Sequence, residues 1–267
     1  MMKTFAGAVA AYASYGIVCV DVTAPLNEVA RVLEARAFSG VGVRDHEGPV
    51  IGIVSTTDVL AAVELETRED PSRFAVRPTA RTAGEVMRTP VRVDEDAPLH
   101  EAARRMVAHR IQRVFVSRDD HTVGVLSARD LLRAVSNSRV MEPVSSVMNR
   151  SIERIDLSET VRAAIAQLVT SNAHGLVVLD GTTPVGLFTH TEALRARALP
   201  HALLDNPVER VMSYEFVRVD ASTPLHRVAS HSIAMQLRRV LVTDGQVLCG
   251  IATALDLARY VAESTTE

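Results

Sequence analysis

A nine-residue phrase that returns four times constrains this chain more than any other feature. GIVSTTDVL (52–60) recurs as GVLSARDLL (124–132), GLFTHTEAL (186–194) and GIATALDLA (250–258). Each copy reads glycine, apolar, any residue, Ser or Thr, two variable residues, then Asp or Glu. Self-similarity at near-constant intervals marks a chain built from repeated supersecondary units.

The segments upstream repeat as well. VMRTPVRVDEDAPLHEAARRM (86–106), VMNRSIERIDLSETVRAAIAQL (147–168) and VMSYEFVRVDASTPLHRVA (211–229) are versions of one pattern, and IVCVDVTAPLNEVARVL (17–33) is a fourth without the leading Val-Met. Each is a short apolar strand, an Asp-containing turn, then a helix with apolar residues at i, i+3, i+4 and i+7. Two short strands joined by turns such as DHEG and DGTT follow, and a second helix starts after the Ser/Thr-x-x-Asp. The unit is therefore β-α-β-β-α, an α/β (α+β) design, with repeats at 1–63, 80–138, 141–200 and 205–264. The charged stretch 64–79 reads as a solvated linker. Residues 4–14 read as a small-residue helix and 17–20 as a buried strand.

This pattern resembles the CBS domain, named after cystathionine β-synthase. The resemblance rests on Val-Met at 86–87, 147–148 and 211–212, the Asp turn and helix, and the terminal G-h-x-[ST]-x-x-[DE]. It implies that consecutive copies pair through their small sheets as two pseudo-twofold Bateman modules in a disc-like array. It also implies a regulatory protein of energy-sensing or signalling type that binds AMP, ADP or ATP, acts on a regulated protein partner or through a homodimer, and carries no cofactor.

Bulk composition fits that class. Hydrophobic residues make up 47% and charged residues 23%, with a net charge of −3. No basic excess draws the chain to nucleic acid or an anionic membrane. Aromatics are 4% of residues, too few for a base-stacking platform. Cys19 and Cys249 lie in apolar runs and read as two buried thiols of a reducing, cytoplasmic protein. Lys3 is the one lysine, so Arg is the available anion fork.

The terminal motif carries the candidate chemistry. A strand running into a helix N-terminus presents unpaired N–H groups to a phosphate. A Ser or Thr there can donate to oxygen, and an acidic residue three positions on can accept a ribose diol, as dinucleotide folds do. The competing reading is a helix capping box. Asp rather than Glu in three copies, and Arg129 beside Asp130, favour the ligand, so removal of Asp130 is expected to leave the unliganded fold nearly unchanged. Glu192 fits the cap, and its copy is expected to bind weakly or not at all.

Candidate contacts are Ser55 and Asp58, Ser127, Arg129 and Asp130, Thr189, and Thr253 and Asp256. Arg113 in copy two, and Arg238 and Arg239 in copy four, precede the middle strand, where the resemblance implies a phosphate contact. Copy three has His174 there, read as structural. The resemblance further implies that the first strand of one copy serves the motif of its partner. Thr89 and Val91 would serve Ser55 and Asp58, Ile17 and Val18 would serve Asp130, and Ser151 and Ile152 would serve Asp256.

An enzyme is not expected. No Walker loop, G-x-G-x-x-G or G-x-S-x-G elbow occurs, and His190-x-Glu192 lacks the P-C-x-x-C of a deaminase. No metal spacing of His and Cys stands out. The alternatives are a scaffold with vacant sites, or a binder of S-adenosylmethionine, NAD(H) or cyclic di-AMP.

Overall fold

The structure is a computed structural model that describes residues 5, 7–36, 38–69, 81–171, 173, 175–197 and 201–264, with main chain alone at 63–69, 197 and 201–202. His174 and positions 70–80 lie outside the described residues.

After a two-residue strand β1 (Ser14–Tyr15), the repeats follow one order. Copy one runs β2 (Cys19–Asp21), α1 (Leu26–Ala35), β3 (Gly40–Arg44), β4 (Val50–Ser55) and α2 (Thr56–Glu69). A short α3 (Ala83–Val86) leads into copy two: β5 (Arg92–Asp94), α4 (Leu99–His109), β6 (Arg113–Arg118), β7 (His121–Ser127) and α5 (Ala128–Asn137). Copy three is β8 (Arg154–Asp156), α6 (Val161–Thr170), β9 (Gly175–Asp180), β10 (Thr183–Thr189) and α7 (His190–Arg197). Copy four is β11 (Val217–Asp220), α8 (Leu225–Ala234), β12 (Arg239–Asp244), β13 (Val247–Thr253) and α9 (Ala254–Ala262). In each copy the first strand pairs parallel with the second, and the second pairs antiparallel with the third. The β-α-β-β-α reading holds in all four.

One turn explains the first crossover of every copy. The Asp ending the first strand accepts the N–H two residues on: Asp21 from Thr23, Asp94 from Asp96, Asp156 from Ser158 and Asp220 from Ser222, each at 2.9 Å. That Asx turn stops the strand and delivers the chain to an extended N-cap, Pro25, Pro98, Thr160 or Pro224. The Thr23 hydroxyl, the Thr23 amide and His46 hold the Asp21 carboxyl down at about 2. The hydroxyl and amide of Ser158 lower Asp156, and those of Ser222 lower Asp220. A carboxylate depressed in the fold stabilises it above the unfolded value of about 3.9 and loses that contribution as pH falls through the folded value. Urea midpoints should therefore hold steady above about pH 4 and decline from there towards about 2. Asp21→Asn, Asp156→Asn and Asp220→Asn should each flatten that decline. Equal acid slopes in the variants and the parent would remove this role from the turns.

Contacts divide the chain into two units that combine alternate repeats. Unit 1 takes Met1–Ile17, Val91–Ile152 and Phe216–Glu267, and so holds copies two and four. There α4 and α5 pack against α9 and α8, and Ser136 Oγ lies 2.8 Å from Ser230 Oγ. Leu131, Leu132, Val135, Leu257 and Val261 join one core. Unit 2 takes Val18–Pro90 and Glu153–Glu215, copies one and three. There α2 packs on α7 reciprocally: Leu60 enters the copy-three core, and Leu194 packs against that of copy one.

Two local expectations are corrected. Residues 4–14 do not make a helix; among the described residues there is a 3-10 turn, Val9–Ala11, and then β1. Gly7 (φ 124°) and Gly16 (φ 83°) break the run, and the Val9 and Ala10 amides donate to Ala97 and Glu95 carbonyls at 2.9 and 2.8 Å. The 64–79 linker begins later than expected, because α2 continues to Glu69. Its Glu, Leu and Arg residues sustain a helix, and Pro71 is the first breaker after them. The strand expected at 17–20 forms as Cys19–Asp21, with Val20 buried. No described helix is long and apolar enough to cross a membrane.

Candidate functional site

The repeated glycine marks where a leader segment lies against the terminal strand. A Cβ on Gly52 would collide with Met87 Sδ, one on Gly186 with Met212 Sδ, and one on Gly250 with Met148 Sδ. On Gly124 it would sit 2.7 Å from the Ser14 carbonyl oxygen. Main-chain bridges Ile53–Arg88, Leu187–Ser213 and Asn149–Ile251, and the β1–β7 pair, accompany these contacts. The leader of copy two thus lies on copy one, that of copy one on copy two, and copies three and four exchange theirs likewise.

That exchange brings several first-strand candidates to the motifs named for them. Thr89 follows Arg88 beside copy one and is exposed; Ile17 follows Tyr15 beside copy two. Ser151 and Ile152 follow Asn149 beside copy four, and the Ser151 amide donates to Asn149 Oδ1 at 2.9 Å. Val91 and Val18 turn into the sheets of their own copies, accepting from the Phe115 and Gly42 amides at 2.8 and 3.0 Å.

The terminal motifs of copies one, two and four close as capping boxes, and in copy three the Glu192 carboxylate takes its half while the Thr191 amide donates to Thr189 Oγ1. Asp130 Oδ2 accepts from the Ser127 amide at 2.8 Å and the Ser127 hydroxyl at 2.6 Å. Asp256 Oδ2 takes the same two groups of Thr253 at 2.8 and 2.7 Å, and the Asp256 amide donates back to Thr253 Oγ1. Asp58 with Ser55 repeats the arrangement, and Glu192 Oε2 takes the amide and hydroxyl of Thr189. Asp in place of Glu therefore does not exclude the cap, contrary to the sequence expectation. The shorter side chain still reaches because the residue before the helix is extended.

The copies differ in the remaining carboxylate oxygen. Asp58 Oδ1 accepts from Arg88 Nε at 2.6 Å, and Asp256 Oδ1 from Arg259 Nη2 at 2.9 Å. Asp130 makes no ion pair among the described residues, so Oδ1 stays available at copy two.

Arginines gather around Asp130. Arg113 stands directly across the β6–β7 ladder from Ser127, as Arg239 stands across from Thr253 in copy four. Copies one and three have Gly40 and Gly175 at that register position. Burial, with Arg238 nearby, pushes the Arg113 guanidinium down to about 10, and Asp130 opposes the shift. Arg129 Nη2 donates to the Gln236 carbonyl at 2.5 Å, and exposed Arg238 follows on the same loop. A cavity of about 240 Å³ opens here within unit 1, lined by Arg129, Asp130, Arg133, Ile233 and Gln236. Arg88, Arg133 and Gln236 escaped the sequence reading. The i, i+4 step from Arg129 to Arg133 was a usable signal; the approach of Gln236 from copy four was not.

This arrangement can bind an anion that also offers a diol. It pairs no nucleophile with a base, and no cluster of three metal-ligating side chains occurs among the described residues.

Comparison with known proteins agrees with the repeat. The family model described as CBS domain matches residues 9–65, 83–137, 144–199 and 208–263. The uncharacterized protein MJ1404 of Methanocaldococcus jannaschii is 25% identical over 188 residues, covering 64% of this chain and 45% of that protein. The A-adding tRNA nucleotidyltransferase of Geobacter sulfurreducens is 24% identical over 247 residues, 92% of this chain and 27% of that one. The chain thus spans less than half the length of either relative. Among solved structures, protein MJ1225 of M. jannaschii, a putative archaeal homolog of g-AMPK, superposes with a TM-score of 0.85 at 17% identity, over 95% of this chain and 99% of that one. An uncharacterized conserved protein from Pyrococcus horikoshii gives 0.67 at 18% identity, over 96% and 100%.

Proposed function

Since the chain belongs to the CBS-domain family along four repeats, we propose that it is a non-catalytic regulatory protein that senses adenine nucleotides (AMP, ADP or ATP) in the cytoplasm. The observation that carries this reading is Arg113 standing opposite Ser127 beside an Asp130 carboxylate with one oxygen available. Ribose hydroxyls would donate to Asp130 Oδ1, and the first phosphate would accept from Arg113 across the ladder from Ser127. The archaeal structure described as a putative g-AMPK homolog supports the same class.

Copies one and four bind less readily, because Arg88 and Arg259 must leave Asp58 and Asp256 first. Thr89, Ile152 and Arg239 serve those sites once the arginines swing away. Copy three binds weakly or not at all, since the longer Glu192 already fills its own box with Thr189. Ligand at copy two changes the packing of a partner protein or a second copy of the chain against this unit.

Isothermal titration of the full chain with adenosine, AMP, ADP and ATP tests the reading. Saturable heat is expected with the nucleotides, at a stoichiometry set chiefly by copy two. S-adenosylmethionine, NAD(H) and cyclic di-AMP serve as competitors. Flat heats with every adenosyl ligand would leave a scaffold with vacant sites, a reading the arginine-paired Asp58 and Asp256 favour for their own copies.

A further inference from the structure

We propose that the copy-two site selects a nucleotide with a polyphosphate tail, its outer phosphates held by Arg129 and Arg133 in the cavity that copy four closes. The proposal rests on the adenine-nucleotide reading and adds a selectivity to it.

Arginines of this chain find partners of two kinds. Arg31 and Arg104 rest on main-chain carbonyls, whereas Arg88, Arg105, Arg118, Arg162, Arg195 and Arg259 each meet a carboxylate. Arg129 and Arg133 do not, among the described residues. Arg129 rests on the Gln236 carbonyl, and the Arg133 guanidinium lies 5.7 Å from the centre of the Tyr12 ring. Both are neutral partners, and both arginines line the same cavity.

Their placement works against the fold. Arg129 is the second residue of α5, and Arg133 follows four positions later on the same face. Like charges at i, i+4 repel, and the start of a helix already carries a positive dipole end. Arg113 and Arg238 add cationic charge close by, and among the described residues Asp130 is the one carboxylate lining the cavity. Its Oδ1 is committed to the ribose in the reading above. A single phosphate at Ser127 engages Arg113 and leaves the other guanidinia unanswered. Arg129 and Arg133 are separated by about 6 Å along the helix, so a chain of phosphates running down α5 meets both. Ile233, in the last turn of α8, and Gln236, just beyond it, line the same cavity. The tail would therefore touch copies two and four together, both within unit 1.

Competition titration of the full chain in magnesium-free buffer tests this with AMP, ADP, ATP and inorganic tripolyphosphate. ATP should bind at least about tenfold tighter than AMP, as one or two added charge-assisted hydrogen bonds imply, and tripolyphosphate should displace it. Arg133→Gln and, independently, Arg129→Gln should narrow the ATP-to-AMP ratio to about threefold or less, in proteins whose melting shows them folded. AMP binding as tightly as ATP, or either variant weakening both nucleotides alike, would overturn the selectivity and leave the adenine reading standing. Silence from all three nucleotides would overturn both.

Discussion

Asp130→Ala is expected to lower the melting temperature of the ligand-free protein and to erase the stabilisation that nucleotide confers. The first effect follows from the cap. Asp130 Oδ2 accepts both the amide and the hydroxyl of Ser127, so its loss strips one end of α5 of a reciprocal pair of hydrogen bonds. Loss of a helix cap costs about 0.5–2 kcal/mol, a fall of roughly 2–4 °C per kcal/mol in a chain of this size. The sequence alone favoured a carboxylate idle until ligand arrives; the closed box corrects that. The second effect follows from the oxygen the cap does not use. Ligand stabilises by RT ln(1 + [L]/Kd), so a site without its diol acceptor shows little shift at the same concentration. Arg113→Ala completes the test, weakening AMP by roughly tenfold or more while leaving adenosine nearly unaffected, because the lost bond is to phosphate. An Asp130→Ala protein that melts lower yet keeps the whole nucleotide shift would reduce the motif to a capping box.

The division between what the sequence revealed and what it hid has a physical basis. Repeats, strand alternation and helix periodicity are local, and they predicted β-α-β-β-α in every copy. The alignment of Arg113 and Arg239 was legible too, because a hairpin register places each opposite its Ser or Thr. The partner of each helix was not legible. Apolar faces such as Leu131, Leu132 and Val135 specify burial but not which helix covers them, so the packing of α5 on α8 and α9 had no local signature. Side chains that act across such a contact were hidden with it. Arg133 joins a site only because Gln236 and Ile233 of copy four stand opposite it. Arg88 lay in a leader segment whose destination, copy one, only the exchanged bridge with Ile53 makes plain.

Alanine at the four repeated glycines should rank the leaders by how firmly each is held, with Gly124→Ala the most damaging. At Gly250 the obstacle is side chain alone, Met148 Sδ with Met148 Cγ at 2.9 Å, and the Asn149 carbonyl oxygen is 3.3 Å away. Met148 can turn aside, so that substitution should cost less than about 1 kcal/mol. At Gly124 the obstacle is main chain: the added Cβ would lie 2.7 Å from Ser14 O, inside the β1–β7 pair where Tyr15 faces Gly124. No rotamer change relieves that contact. The strand must shift, at about 1–3 kcal/mol for an overpacked site. Gly186, with Ser213 O at 3.0 Å, and Gly52, with Met87 Cβ at 2.9 Å, should fall between. Urea midpoints of the four variants give the order, and a Gly124→Ala protein as stable as Gly250→Ala would show that β1 yields freely. The ligand then supplies a second readout. β1 leads directly to Ile17 beside the copy-two motif, so a displaced β1 should weaken nucleotide binding at that site, whereas Gly250→Ala, which perturbs copy four, should leave it close to the parent value.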